Sequence, residues 1–172
     1  EIGSGLVGSE MCIRDSEDLL ESILRIIDKY KVPHHFIEIE LTETTTDVDY
    51  KELKKIVYGL REQDISTSVD DFGVGYSSLN LIREMPWNVL KIDKSFLPTQ
   101  EEENNDPSKV KMLRHIITMS QDLGLECIVE GVETAEQVKL LKDCKCYLAQ
   151  GFYFDRPLPV KEFEQKLESA AG

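Results

Sequence analysis

The sequence predicts an α/β fold with a parallel sheet, and two observations support that prediction. From Glu17 onward, stretches with the 3.6-residue period of an amphipathic helix take turns with short apolar stretches typical of strands. Successive strands are separated by enough chain for a helical crossover, which parallel strands require. With 172 residues, 41% of them hydrophobic, the chain can bury one sizeable core. We therefore expect a single domain of alternating strands and helices.

The first half of the chain alternates between the two patterns. An apolar stripe over residues 19–30 indicates a helix, which Pro33 prevents from continuing. The next predicted elements are a strand over "FIEIEL" (36–41), a helix over 50–62, a strand over "STSVDDF" (66–72) and a short helix over 77–85.

The second half continues the alternation after an acidic linker. Asp106 and Pro107 suit the N-cap and first position of a long helix. Thr134 and Gln137 form the pattern of a capping box at the start of another helix. The predicted strands are "NVLKIDKSF" (88–96), "LECIVEGV" (125–132) and "CYLAQGFYF" (146–154), and a last helix covers 160–169.

Charge and composition exclude several classes of function. A net charge of -13 argues against binding extended nucleic acid or an anionic membrane, because both need clustered Lys and Arg. The sequence has neither a long apolar span nor the pattern of a signal peptide, so we expect a cytoplasmic protein without membrane contact. The four cysteines lack the spacing of a disulfide framework or zinc site and are expected to be reduced and buried.

Residues 1–16, "EIGSGLVGSEMCIRDS", differ in composition from the rest and show no amphipathic period. They resemble a translated sequencing adapter, and a native disordered tail is the alternative. We expect residues 17–172 to form the folded domain, which on the adapter interpretation is truncated at its N-terminus.

Polar side chains follow each predicted strand. They are Glu40 and Glu43, then Asp70 and Asp71, Lys91 and Asp93, Glu130 and Glu133, and Gln150. The carboxyl ends of parallel strands meet at one edge of a sheet, where α/β folds place their active sites. Any single carboxylate here could be a solvated charge or a helix cap. Together they would repel one another unless divalent cations joined them, and oxygen ligands suit Mg²⁺ or Mn²⁺.

Five ordered motifs carry a family resemblance. "ELTET", "DDFGVGYSSL", "KIDKSF", "VEGVET" and "QGFYFDRPLP" resemble the motifs of EAL-domain cyclic di-GMP (c-di-GMP) phosphodiesterases of bacterial second-messenger signalling. The resemblance implies a TIM-type (β/α) barrel, of which this chain would supply about five of the eight strands. It also implies that two divalent ions bind a phosphodiester and activate a water, so that c-di-GMP is hydrolysed to linear pGpG.

The resemblance further implies residue roles. Asp70 is expected to bridge both ions, and Lys91 to orient the attacking water. Glu43 is expected to anchor the loop after the second strand. The implied metal ligands are Glu40, Asp70, Asp71 and Glu130; the catalytic residues Lys91, Glu130, Glu43 and Gln150; the loop residues Phe72, Gly73, Gly75, Ser77 and Ser78; and the substrate contacts Gln150, Asp93 and Glu133.

One departure from the family pattern lies at the other end of the chain. The sequence contains no Glu-Ala-Leu triplet, which contributes a metal ligand in the family. We expect this chain alone to be inactive and its parent domain to be the enzyme. The alternative is a degenerate EAL domain that acts as a c-di-GMP receptor or protein-interaction module. A homodimer is a further possibility, since missing strands would leave a sheet edge unpaired.

Overall fold

The structure, a computed structural model, describes residues 16–42, 50–74, 79–99 and 107–170. Within them the predicted alternation of helices and strands is confirmed. The helices are α1 (Ser16–Tyr30), α2 (Tyr50–Glu62), α3 (Leu79–Glu84), α4 (Pro107–Asp122), α5 (Ala135–Asp143) and α6 (Val160–Ala170). The strands are β1 (Glu38–Thr42), β2 (Ser66–Phe72), β3 (Val89–Ile92), β4 (Glu126–Val129) and β5 (Leu148–Ala149).

The strands form one five-stranded sheet in the order β1-β2-β3-β4-β5. Every neighbouring pair is parallel, as predicted. Because the order in space follows the order in sequence, the five strand ends lie side by side along one edge of the sheet. Strand β3 occupies the centre of that row.

The two faces of the sheet differ in chemistry because side chains alternate along each strand. One face packs against the helices and forms the main core, in which Val69, Leu90, Ile92 and Val129 are almost fully buried. The opposite face carries Glu40, Asp70 and Lys91 at the carboxyl ends of their strands. Along these strands, one residue therefore packs in the core and its neighbour lies on the polar face.

A second, smaller core joins the first two helices to the start of β2. Ile27 of α1 packs with Ile56 and Leu60 of α2 and with Ile65, all of them buried. After α1, the His34 ring contacts Gln63 O through Nδ1 at 2.7 Å and Asp28 Oδ1 through Nε2 at 3.2 Å. The apolar stripe predicted for residues 19–30 thus packs as expected up to Ile27, whereas Tyr30 at its end is 68% exposed.

Strand β1 begins two residues later than predicted, at Glu38, and three other predicted strands are much shorter in the structure. β3 ends at Ile92 because Asp93 accepts a hydrogen bond from Ser95 N at 2.9 Å and starts a 3₁₀ turn over Lys94–Phe96. β4 ends at Val129, ahead of Gly131 with φ 67°. β5 has only two residues, because the chain turns back after Gln150 and Tyr153 N donates to Val132 O at 3.0 Å.

The other local predictions have clear outcomes. The capping box of Thr134 and Gln137 is confirmed at the start of α5. Pro107 is the first residue of α4, whereas its predicted cap, Asp106, lies outside the described residues. Three of the four cysteines, Cys127, Cys144 and Cys146, are buried free thiols, as predicted, and Cys12 lies outside the described residues. In the described part of the chain, none of the helices combines the length and the apolarity that crossing a membrane would take.

Candidate metal centre and active site

Lys91 is the centre of the polar face. Its Nζ lies 2.9 Å from Glu40 Oε1, 3.0 Å from Asp70 Oδ1 and 2.8 Å from Glu130 Oε1. The Lys91 side chain is only 8% exposed, so these contacts form largely away from water. One ammonium group therefore joins carboxylates from three strand ends.

The strand register explains why these groups meet. Thr42 of β1 pairs with Asp70 of β2, and Lys91 of β3 pairs with Ile128 of β4. Glu40 lies two residues before Thr42, and Glu130 lies two residues after Ile128. Residues two apart along a strand share a face. Since β3 is central, Lys91 reaches acidic groups on both sides.

Asp70 and Asp71 are adjacent, and in a regular strand their side chains would point to opposite faces. Instead Asp71 has a left-handed backbone with φ 51°, and the register between β2 and β3 shifts between Val69 and Phe72. Such a bulge redirects side chains at a strand end. As a result, carboxylate oxygens of Asp70, Asp71 and Glu130 lie within 4.8 Å of one another.

This arrangement fits a divalent metal ion. Asp70 Oδ1 is buried and has no well-aligned hydrogen bond, although Lys91 Nζ lies 3.0 Å away. We regard that contact as an ion pair that leaves acceptor capacity on the oxygen. Three converging carboxylates with an incompletely satisfied oxygen are the hard, oxygen-only ligand set that Mg²⁺ and Mn²⁺ prefer.

The pKa values show that the carboxylates are crowded. Burial lowers the pKa of Lys91, but its contacts with the carboxylates of Glu130, Glu40 and Asp70 outweigh that effect and raise the pKa above its usual value. Burial raises the pKa of Glu130, and Lys91 offsets this only in part. Burial and the neighbouring Asp70 raise the pKa of Asp71. The site thus holds more negative charge than its one lysine compensates.

The structure places the remaining predicted residues around this cluster or outside it. Gln150 lies next to Glu130 along the edge, because Gln150 N donates to Val129 O at 2.9 Å and Val132 N donates to Gln150 O at 3.0 Å. The Asp93 carboxylate caps the 3₁₀ turn. Glu133 lies at the start of α5, where its backbone N–H donates to Gln137 Oε1 at 2.8 Å.

The loop after β2 is described only in part. Phe72 is buried, and Gly73 has a φ of 97°. The predicted residues Glu43, Gly75, Ser77 and Ser78 lie outside the described residues.

Sequence reasoning did not single out Ser68. This residue is fully buried on the strand that carries Asp70, and its Oγ has no hydrogen-bond partner among the described residues. Ser68 lies two residues before Asp70 and pairs with Glu40 in the register of β1 and β2. Side chains two apart on a strand share a face, so counting back two positions from Asp70 would have placed this small polar residue beneath the carboxylate cluster.

The fold and the site together define a class of protein: a parallel (β/α) domain with an acidic, oxygen-rich centre at the carboxyl edge of its sheet. The chain belongs to the EAL domain family, whose model matches residues 9–157.

Two curated relatives illustrate the family. Signaling protein YkoW of Bacillus subtilis is 40% identical over 150 residues, which are 87% of this chain and 18% of that protein. Cyclic di-GMP phosphodiesterase NbdA of Pseudomonas aeruginosa is 34% identical over 151 residues, 88% of this chain and 19% of that protein. The chain therefore spans about a fifth of the length of these relatives.

Solved structures confirm the fold class. The PaMucR phosphodiesterase in complex with c-di-GMP is 30% identical with a TM-score of 0.75, over 84% of this chain and 57% of that one. BlrP1 of Klebsiella pneumoniae, in a manganese and c-di-GMP complex, is 27% identical with a TM-score of 0.70, over 81% of this chain and 35% of that one. The five parallel strands are thus part of a (β/α) barrel, as the sequence predicts.

Proposed function

We propose that this chain carries the metal centre of a c-di-GMP phosphodiesterase domain, which hydrolyses c-di-GMP to linear pGpG with two Mg²⁺ or Mn²⁺ ions. The observation that carries the proposal is the convergence of Asp70, Asp71 and Glu130 beside Lys91. The relative NbdA is named a c-di-GMP phosphodiesterase, and the BlrP1 structure contains both manganese and c-di-GMP. These names support the substrate and the metal requirement proposed here.

The proposed metal ligands are the acidic residues of the cluster. Asp70 is the best candidate to bridge two ions, since it belongs to the carboxylate cluster and has a buried oxygen with acceptor capacity. When bound, the ions would polarise the phosphodiester and lower the pKa of a coordinated water. The full proposed set is Glu40, Asp70, Asp71 and Glu130.

Lys91 has a separate proposed role. Its ammonium group carries three donors and no acceptor, so it cannot ligate a metal while protonated. Once cations compensate the carboxylates, the same Nζ can hydrogen-bond the attacking water and a phosphate oxygen. Lys91 would thus orient the nucleophile and stabilise charge on the phosphate.

The remaining assignments concern substrate contacts and the loop. Gln150 is proposed to contact the substrate, because it lies at the same edge as Glu130. Asp93 and Glu133 follow neighbouring strands and are proposed as further contacts. Glu43, which lies outside the described residues, is proposed to anchor the loop that contains Phe72, Gly73, Gly75, Ser77 and Ser78.

The test compares two proteins. One is the chain as it stands, and the other is the same chain joined behind a segment that carries the Glu-Ala-Leu triplet of a family member. We propose that the chain alone is inactive, because it has no such triplet. The joined protein should convert c-di-GMP to pGpG with Mn²⁺ and stop when EDTA is added, as followed by chromatography.

Asp70→Asn in the joined protein should abolish hydrolysis, because an amide keeps the shape but loses the charge of a bridging carboxylate. Asp143→Asn, at the exposed end of α5, is the matched control and should leave turnover unchanged. Near-normal pGpG production by Asp70→Asn would contradict the metal assignment. Binding of c-di-GMP without hydrolysis by the unaltered joined protein would favour the receptor alternative instead.

A further inference from the structure

The 3₁₀ turn Lys94–Phe96 after β3 contacts the segments that follow Asp71 at the end of β2 and Glu130 after β4. It touches each of these segments at a glycine. We propose that this turn is a positioning clamp, which holds Asp71 and Glu130 at the separation a metal ion needs. The proposal rests on the proposed metal site and adds residues that contact no ion themselves.

The first contact joins Phe96 to the turn after Asp71. A Cβ atom on Gly73 would overlap the Phe96 ring, so the ring packs directly on the glycine backbone. Gly73 has a φ of 97°, which a residue with a side chain rarely adopts. Val74 N donates to Asp71 O at 3.1 Å and closes this turn. The Phe96 ring therefore supports the backbone that gives Asp71 its left-handed conformation.

The second contact joins Lys94 to the residue after Glu130. A Cβ atom on Gly131 would lie 2.5 Å from Lys94 Cβ and 3.1 Å from its Cδ. Gly131 also has a positive φ, 67°. The aliphatic stem of Lys94 thus covers the backbone next to Glu130, although the residue as a whole is exposed.

The turn is itself held by hydrogen bonds. Ser95 N donates to Asp93 Oδ1 at 2.9 Å, and Leu97 N donates to Lys94 O at 2.9 Å. Leu97 is buried in the main core, and Glu130 N donates to Ile92 O at 2.9 Å. The clamp is therefore fixed to the core at one end and to the sheet at the other.

Electrostatics explains why a clamp is useful. The carboxylates of Asp70, Asp71 and Glu130 lie within 4.8 Å of one another, and like charges at that distance repel. Lys91 contacts Asp70 and Glu130, whereas Asp71 is held by its turn. Packing against two glycines supplies a rigid support that does not depend on a bound cation.

The test is Phe96→Leu in the full chain, with Phe36→Leu as the matched control. Phe36 also ends a 3₁₀ turn, but it is 73% exposed and lies before β1. Mn²⁺ affinity is measured by electron paramagnetic resonance of the free ion, and a thermal melt checks the fold. We expect Phe96→Leu to weaken Mn²⁺ binding about tenfold, the typical effect of losing an outer support of a metal ligand. Phe36→Leu should bind like the unaltered chain.

A second pair of variants avoids the core. Lys94→Ala shortens the stem over Gly131, whereas Lys94→Met keeps the stem and removes the charge. Both variants lose the ammonium group, whose repulsion of a cation is then absent in each, so they differ only in the stem. The clamp predicts weaker Mn²⁺ binding for Lys94→Ala than for Lys94→Met. Equal affinity in the two variants would mean that the stem over Gly131 does not matter, and the clamp would be wrong at that contact.

A metal-free measurement separates the clamp from the metal site. Exchange of the Val74 amide proton should be about tenfold faster in Phe96→Leu than in Phe36→Leu, because the turn opens more often. Unchanged Mn²⁺ affinity in Phe96→Leu, with binding abolished by Asp70→Asn, would overturn the clamp and leave the metal site standing. If the unaltered chain binds no Mn²⁺, the metal site is wrong. In that case only the exchange of the Val74 amide proton tests the clamp, and an unchanged exchange rate would overturn the clamp as well.

Discussion

Replacing Lys91 by methionine tests how the polar face is stabilised without metal. The variant keeps a long side chain of similar volume but removes the ammonium group that contacts three carboxylates. In EDTA at neutral pH we expect a large loss in the free energy of unfolding. The loss arises because Asp70 and Glu130 remain mostly buried, with side chains 18% and 20% exposed, but without their cation.

The size of this loss in the free energy of unfolding depends on how deeply each ion pair is buried. Glu40 is 41% exposed, so its pair with Lys91 contributes about 0–1 kcal/mol. The two contacts to Asp70 and Glu130 are much less solvated, and removing one partner of a buried pair costs about 3–5 kcal/mol. Methionine packing recovers a small part of that. We therefore expect Lys91→Met to be destabilised by about 3–5 kcal/mol, a large share of the stability of a typical domain.

The assay is urea unfolding of Lys91→Met and of Lys139→Met, an exposed lysine of α5 that serves as the control. Mn²⁺ should restore part of the lost stability in Lys91→Met, since the ions compensate the same carboxylates. The destabilisation caused by Lys91→Met should also become smaller as the pH falls through the raised pKa of Glu130, because a protonated carboxyl needs no positively charged partner. Equal stability of the two variants in EDTA at pH 7 would refute this account of Lys91.

Two further predictions concern the rest of the chain. Hydrogen bonds to Gln63 O and Asp28 raise the pKa of His34 above its ordinary value of 6.5, so the protonated ring stabilises the fold. The stability difference between the unaltered chain and His34→Ala should be largest below pH 6.5 and decline as the pH rises through the raised pKa, with the exposed His115→Ala as control. The second prediction is self-association, since β1 and β5 are the edge strands of the described sheet and parallel edges pair readily with other chains. Sedimentation velocity should show oligomers, and a single monomeric species with a sharp melt at all concentrations would contradict it.

Much of the fold could be predicted because its determinants are local. The stripe over residues 19–30, the capping box at Thr134 and the boundaries of α2 and β2 all depend on residues close in sequence. The chemistry of the strand ends was predictable for a related reason. Parallel strands bring their carboxyl ends together, so the convergence of Asp70, Lys91 and Glu130 follows from topology alone.

The geometry of individual side chains could not be predicted in the same way. Alternation along β2 places Asp71 on the face opposite Asp70, and only the bulge with a left-handed Asp71 overrides it. The early end of β3 depends on Asp93 capping the 3₁₀ turn, which the sequence pattern did not separate from a longer strand. Phe96 reads as an apolar strand residue, and its contact with Gly73 becomes visible only when two loops are brought together.

The charge of the site links its structure without metal to the ligand proposed for it. One ammonium group faces the carboxylates of Glu40, Asp70 and Glu130, with Asp71 close by, so most of the negative charge is uncompensated. Two divalent cations would reverse that balance and leave a locally positive site within a chain whose net charge is -13. An anionic phosphodiester would then bind because the ions recruit it, whereas a longer polyanion would meet the acidic surface around them. The acidic composition that argues against extended nucleic acid is therefore compatible with a small cyclic dinucleotide.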